Sequence, residues 1–255
     1  MMLFKTFFLL SLATVVSCQL AKLAHLFGVA KFAVAKEDDQ VSCNIAKFKR
    51  CNSATVRALG MKSEPQSAHE FGVFLQNLIL HQHQAGFTKI CKYCRQVVKY
   101  GRCINDDLQL KACLSISNLV KMGLNEQDAE VCRVIFNEAQ FQCTKGYNVI
   151  IKNWNCMNDT QLKSKKELHQ CETEFGTKKQ KHPDRVCCYG QEWLECLSAP
   201  FTRNCGKKVG EVLCEVMKIS TALDPQLKTC ELSCGAQQFD HFLKPTEKID
   251  DLNSL

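Results

Sequence analysis

The stretch Val186-Cys187-Cys188-Tyr189-Gly190-Gln191-Glu192-Trp193-Leu194-Glu195-Cys196 sets a cysteine pair ahead of two polar residues on a helical repeat. Water activation at such a pair of polar positions would need a general base such as histidine. Here the two polar positions are Gln191 and Glu192, and an amide has no usable proton affinity near neutral pH. The three cysteines therefore read as staples. Cys91-Lys92-Tyr93-Cys94 has the spacing of a redox pair, yet no βαβ pattern surrounds it. Zinc needs a matched ligand set, and the interval from Cys91 through Cys94 and Cys103 to Cys113 supplies none. His81 and His83 stand two apart, so a helix does not aim both at one metal. No Gly-x-Ser-x-Gly, His-Glu-x-x-His or phosphate loop occurs. No enzyme class gains positive support, and no catalytic residue, metal or cofactor is expected.

The compartment explains the cysteines better. Lys5 precedes an apolar run from Phe7 to Val16, with small residues at Ser17 and Cys18. That is the pattern of a signal peptide over residues 1–18, cut before Gln19. Eighteen cysteines in 255 residues then read as disulfides of a secreted protein. Seventeen follow the leader: Cys43, Cys51, Cys91, Cys94, Cys103, Cys113, Cys132, Cys143, Cys156, Cys171, Cys187, Cys188, Cys196, Cys205, Cys214, Cys230 and Cys234. An odd number leaves three readings. One thiol is free, one links two chains in a disulfide-bonded dimer, or cleavage spares Cys18. Spacing alone gives no connectivity.

The elements that must position these residues are helices. Apolar residues recur with the 3.6-residue period and rarely alternate. Helices are expected over 67–85, 105–122, 125–145, 160–175 and 205–222, with Asn125 as a cap and Gly123, Gly146 and Gly176 as stops. The expected fold is all-α, a disulfide-bridged bundle of about seven to nine helices. The expected organisation has five parts: the leader over 1–18, an N-terminal helix or linker over 19–42, cysteine-rich helical subdomains over 43–146 and 147–235, and a tail over 236–255. The joint between the subdomains is placed at Gly146 to Asp159, and an open loop at 176–185. No run is long and apolar enough to span a membrane.

Charge adds two features to a chain of net charge +7. Residues 161–185 carry Lys163, Lys165, Lys166, Lys178, Lys179, Lys181 and Arg185 around that loop, a candidate contact for a polyanion such as a sulfated glycan or acidic matrix. Residues 20–36 form a weakly amphipathic basic helix that reads as packing rather than as a membrane anchor. Asn158-Asp159-Thr160 is the only glycosylation sequon and is expected ahead of a helix.

Known families resemble parts of this chain. VCCYGQEWLEC resembles the active-site helix of secretory phospholipases, but Gln191 and Glu192 replace the histidine and aspartate and Cys196 falls two residues late. CKYCRQVV is similar to the start of a saposin-like domain, but Cys103 and Cys113 follow too early. Residues 187–216 look like a pattern of secreted, cysteine-rich helical proteins of invertebrates. Its marks are Cys187-Cys188, an aromatic helix from Trp193 to Cys196, and Cys205-Gly206 opening another helix. Nematode extracellular domains of unknown function and chondroitin-proteoglycan domains are similar in style. The resemblance implies an extracellular helical protein without established catalysis. The reading is a secreted, non-enzymatic binding or structural protein of extracellular fluid or matrix. Its partner would be an extracellular protein, glycan or matrix, with no nucleic acid and no transmembrane segment. The alternative is a secreted effector acting on a receptor or membrane.

Overall fold

The structure, a computed structural model, describes residues 42–60, 86–104 and 107–235. Among these residues there are nine α-helices, two short 3-10 turns and no strand. The helices are α1 (Ile45–Leu59), α2 (Gly86–Ile104), α3 (Asp107–Cys113), α4 (Ile116–Lys121), α5 (Glu126–Cys143), α6 (Tyr147–Lys163), α7 (Lys165–Lys181), α8 (Val186–Cys205) and α9 (Lys207–Ser220). This is the all-α, disulfide-bridged class that the 3.6-residue period implies. The leader at 1–18, the basic helix at 20–36, the helix at 67–85 with His81 and His83, and the tail at 236–255 lie outside the described residues.

Local chemistry sets several helix ends. Asn125 caps α5, its side-chain oxygen accepting from the Asp128 N–H at 2.8 Å. Glu126 and Asp128 sit in that first turn, at the positive end of the helix dipole. Asn44 caps α1 in the same way through the Lys47 N–H. The helix expected over 105–122 is two, because Ser115 caps α4 and accepts from the Asn118 N–H at 3.3 Å. Other expectations need larger correction. Gly176 does not stop a helix. The break falls at Ser164, and α7 runs through Gly176 to Lys181, so most of the loop expected at 176–185 is helical. One interior glycine costs a helix only about 1 kcal/mol, whereas Pro183 ends it. The joint expected at Gly146 to Asp159 is α6, which buries Ile150, Trp154 and Met157 on one face. The aromatic helix does not end at Cys196, since α8 continues through Pro200 to Cys205.

Seven disulfides tie the helices: Cys43–Cys113, Cys51–Cys103, Cys94–Cys143, Cys156–Cys205, Cys171–Cys196, Cys187–Cys230 and Cys214–Cys234. None crosses Gly146. The apolar core does cross it. Its larger cluster unites Ile90, Tyr93 and Ile135 with Trp154, Leu194 and Val212. A smaller cluster gathers Phe48, Tyr100, Ile104 and Leu119 around α1 to α4. Helix α9 buries eight of its fourteen residues and packs against α5, α6 and α8.

The α8–α9 crossing depends on two glycines. Gly206 takes φ +97°, in the left-handed region, where the chain turns between the helices. Gly210 lets α9 approach α8 so closely that a Cβ there would sit 1.8 Å from Thr202 Oγ1 and 3.2 Å from Thr202 Cα. Gly210→Ala is expected to destabilise the oxidised protein by about 1–3 kcal/mol, through overpacking. Adding Thr202→Ala is expected to restore part of that loss, because it removes the nearest atom. Thermal unfolding of the single and double variants checks this.

Candidate functional site

The helix VCCYGQEWLEC is α8, and its two polar positions hold structure together. The Gln191 amide oxygen accepts from the Ser233 N–H at 2.9 Å, and its amide nitrogen donates to the Ser233 carbonyl at 3.0 Å and to Glu195 at 2.8 Å. Such a two-way clasp on one backbone residue suits an amide. It fastens the segment 224–235 along α8, where Cys187–Cys230, Cys214–Cys234 and buried Leu227 also hold it. Gly190 makes room for Leu227, whose Cδ2 would lie 2.6 Å from an added Cβ. Glu192 pairs with Lys178 at 2.6 Å.

Beside this pair, α7 and α8 enclose a cleft lined by Phe175, Tyr189, Trp193 and the Cys171–Cys196 bridge. Phe175 and Trp193 stack at 5.2 Å, and Lys178 and Arg185 lie over the Tyr189 ring. The cleft offers about 30 Å³, room for about one water. Trp193 Nε1 is buried without a protein partner.

Three of the seventeen cysteines stay unpaired among the described residues: Cys91, Cys132 and Cys188. The odd count requires at least one, and the structure leaves two more. Helices α2 and α5 explain why Cys91 and Cys132 do not meet. The Cys94–Cys143 bridge and the Tyr100–Phe136 ring contact at 5.3 Å set the two helices antiparallel. Cys91 then lies beyond the bridge at one end, where the Tyr147 hydroxyl donates to its sulfur at 3.7 Å. Cys132 lies beyond it at the other, about 20 Å away along the axis at 1.5 Å per residue. Burial, with Asp128 nearby, pushes the Cys132 thiol up to about 11, so it is inert at neutral pH. Burial and the contact with Cys91 raise Tyr147 to about 12. Cys188 is the exposed one of the three. The adjacent cysteines do not both find partners among the described residues, for Cys187 takes Cys230 and Cys188 is left.

The cations expected to form one patch over 161–185 are spread along α7. Lys163 ends α6, Lys165 and Lys166 open α7, Lys178, Lys179 and Lys181 close it, and Arg185 lies in the 3-10 turn that follows. Lys166 and Lys178 are about 18 Å apart along the helix. Several are already matched: Lys178 by Glu192, Lys179 by Asp224, and Lys163 loosely by Asp159 at 3.9 Å. Glu192 raises the Lys178 pKa through its hydrogen bond. Asn158 lies inside α6, not ahead of a helix, and Thr160 of the same sequon is buried against Cys205.

Sequence reading passed over a buried carboxyl and an acid-free pair of helices. Glu138, on α5, is almost wholly buried and accepts from the Ser220 hydroxyl of α9. Its second oxygen and the Gln142 side-chain oxygen one turn on are buried without partners. Nothing in the string distinguishes Glu138 from a surface glutamate. The helices α1 and α2 hold nine lysines and arginines and no aspartate or glutamate, a signal that charge counting by segment finds. Among the described residues, no group of three His, Cys, Asp or Glu is placed to hold a metal.

No protein family matches the chain, and neither the curated proteins nor the solved structures hold a match.

Burial lifts Glu138 from an ordinary 4.5 to about 8, with the Ser220 hydrogen bond pulling the other way. Between those two values the folded state holds a proton that the unfolded state has shed. Stability is therefore fully present below about 4.5 and lost as pH rises through 8. Glu138→Gln is expected to flatten this dependence. Urea unfolding of both proteins at pH 5 and pH 9, disulfides intact, checks it, and an unchanged pH slope in the variant contradicts it.

Proposed function

We propose that this is a secreted, non-enzymatic protein with a binding or structural role in an extracellular fluid or matrix. The observation that carries the reading is the set of seven intrachain disulfides, which engages every helix except α4 among those described. Such bonds persist in oxidising compartments and are reduced in the cytosol. Each typically contributes about 2–4 kcal/mol by restricting the unfolded chain. The leader pattern at residues 1–18 supports the same compartment. So does the likeness of residues 187–216 to secreted cysteine-rich invertebrate proteins. The backbone clasp at Gln191, where a water-activating helix needs a base, supports a non-enzymatic role. A scaffold of this kind keeps a surface intact outside the cell.

Cys188 is the thiol we assign to an interchain link, since it is exposed on α8 and has no partner among the described residues. Full-length protein expressed in a secreting cell is expected in the medium, oxidised, with a fraction migrating as a dimer that reductant dissolves. Cys188→Ser is expected to abolish that dimer and leave secretion unchanged. Retention inside the cell with reduced cysteines contradicts the compartment. A dimer that survives the substitution contradicts the assignment of Cys188.

A further inference from the structure

We propose that α1 and α2 together form a binding surface for a sulfated polysaccharide. Across both helices the sequence carries nine cations and not one acid. Six of the cations, Lys49, Arg50, Arg57, Lys92, Lys99 and Arg102, are exposed. None of the six forms an ion pair among the described residues, in contrast to Lys178, Lys179, Arg203 and Lys228 elsewhere. Their spacing makes a line. Lys92, Lys99 and Arg102 follow at seven and three residues, on one face of α2 over about 15 Å. Arg50 and Arg57 stand seven apart on α1, with Lys49 beside them. The Cys51–Cys103 bridge, its Cα atoms 5.9 Å apart, brings Arg50 and Arg102 onto adjoining turns. The opposite faces are committed to the core through Phe48, Val56, Ile90, Tyr93, Tyr100 and Ile104.

Holding so many like charges without acids costs self-repulsion, which a linear polyanion relieves with release of its counterions. Other occupants fit less well. The large apolar side chains exposed among the described residues are Leu108, Val120 and Leu162, and none lies on α1 or α2 to enter a bilayer. The aromatic rings of Phe48, Tyr93 and Tyr100 are buried and offer no face for stacking a base. The surface stands on charge geometry, while the choice of a polysaccharide over an intracellular polyanion rests on the extracellular reading above.

The test uses the full-length oxidised protein and heparin at about 0.1 M salt. The triple variant Lys92→Gln, Lys99→Gln, Arg102→Gln is compared with a control, Lys163→Gln, Lys165→Gln, Lys166→Gln, that removes equal charge elsewhere. Circular dichroism and non-reducing gel mobility verify that both are folded. The first variant is expected to lose about tenfold or more in heparin affinity, and the control less than about twofold. Equal loss in both variants overturns the proposal, because only net charge then matters. So does equal binding to de-sulfated heparin, or binding of phosphatidylserine vesicles in place of heparin. Absence of heparin binding by the unaltered protein, with secretion intact, defeats this surface alone. Heparin binding with secretion absent defeats the extracellular reading and leaves the surface standing.

Discussion

The burial of α9 is the constraint on which the rest of the described structure depends. Its disulfide, Cys214–Cys234, holds only the following segment, so packing and the Ser220–Glu138 hydrogen bond join it to α5. Val209, Val212, Leu213, Val216 and Met217 give it a broad buried face, while Lys207, Lys208, Glu211, Glu215 and Lys218 lie off that face. The bridges on either side of Gly146 close two separate sets of loops, and among the described residues no disulfide fastens one set to the other. Apolar contact through α9, α5 and α6 does. Strain at the α8–α9 crossing therefore reaches the whole molecule, which is why Gly210 carries more weight than a glycine on an outer helix.

That division of labour bears on function. Disulfides act chiefly on the unfolded chain, and the core acts on the folded one. A helix such as α7, with Cys171 its one buried residue, survives because it is bridged and ion-paired to α8, not because it buries much. Its surface is free to be polar. The same holds for α1 and α2, whose bridges to α3, to α5 and to one another tolerate a face made only of cations. Covalent ties let charge accumulate where a purely apolar bundle would have to dilute it.

Much of the fold was legible in the string because helix signals are local. Asn125 with Glu126 and Asp128 marks the start of α5, and the apolar spacing of Val209, Val212, Leu213 and Val216 marks α9. The misses have physical causes. Asn153, Asn155 and Asn158 lower helix propensity across α6, yet Trp154 and Met157 bury enough to override it. Gly176 looked like a break, but a single glycine was too weak a stop. Disulfide partners are chosen by distance in the fold, so no spacing gave them. Glu138 was invisible, since only the neighbouring helix decides whether a glutamate on α5 meets water. The cationic face of α2 is legible as Lys92, Lys99 and Arg102 with no acid between them, but the neighbouring Cys91–Cys94 spacing points first to redox or zinc chemistry.

The most direct test is a disulfide map of the secreted protein, made by alkylating free thiols, digesting without reductant and sequencing the linked peptides by mass spectrometry. The expected result is the seven pairs given above, with alkylated Cys91 and Cys132 and with Cys188 either alkylated or joined to Cys188 of a second copy. Any bridge that crosses Gly146 would contradict the separation of the two covalent sets. A majority of free thiols would contradict the disulfide-bridged fold and the extracellular compartment proposed from it.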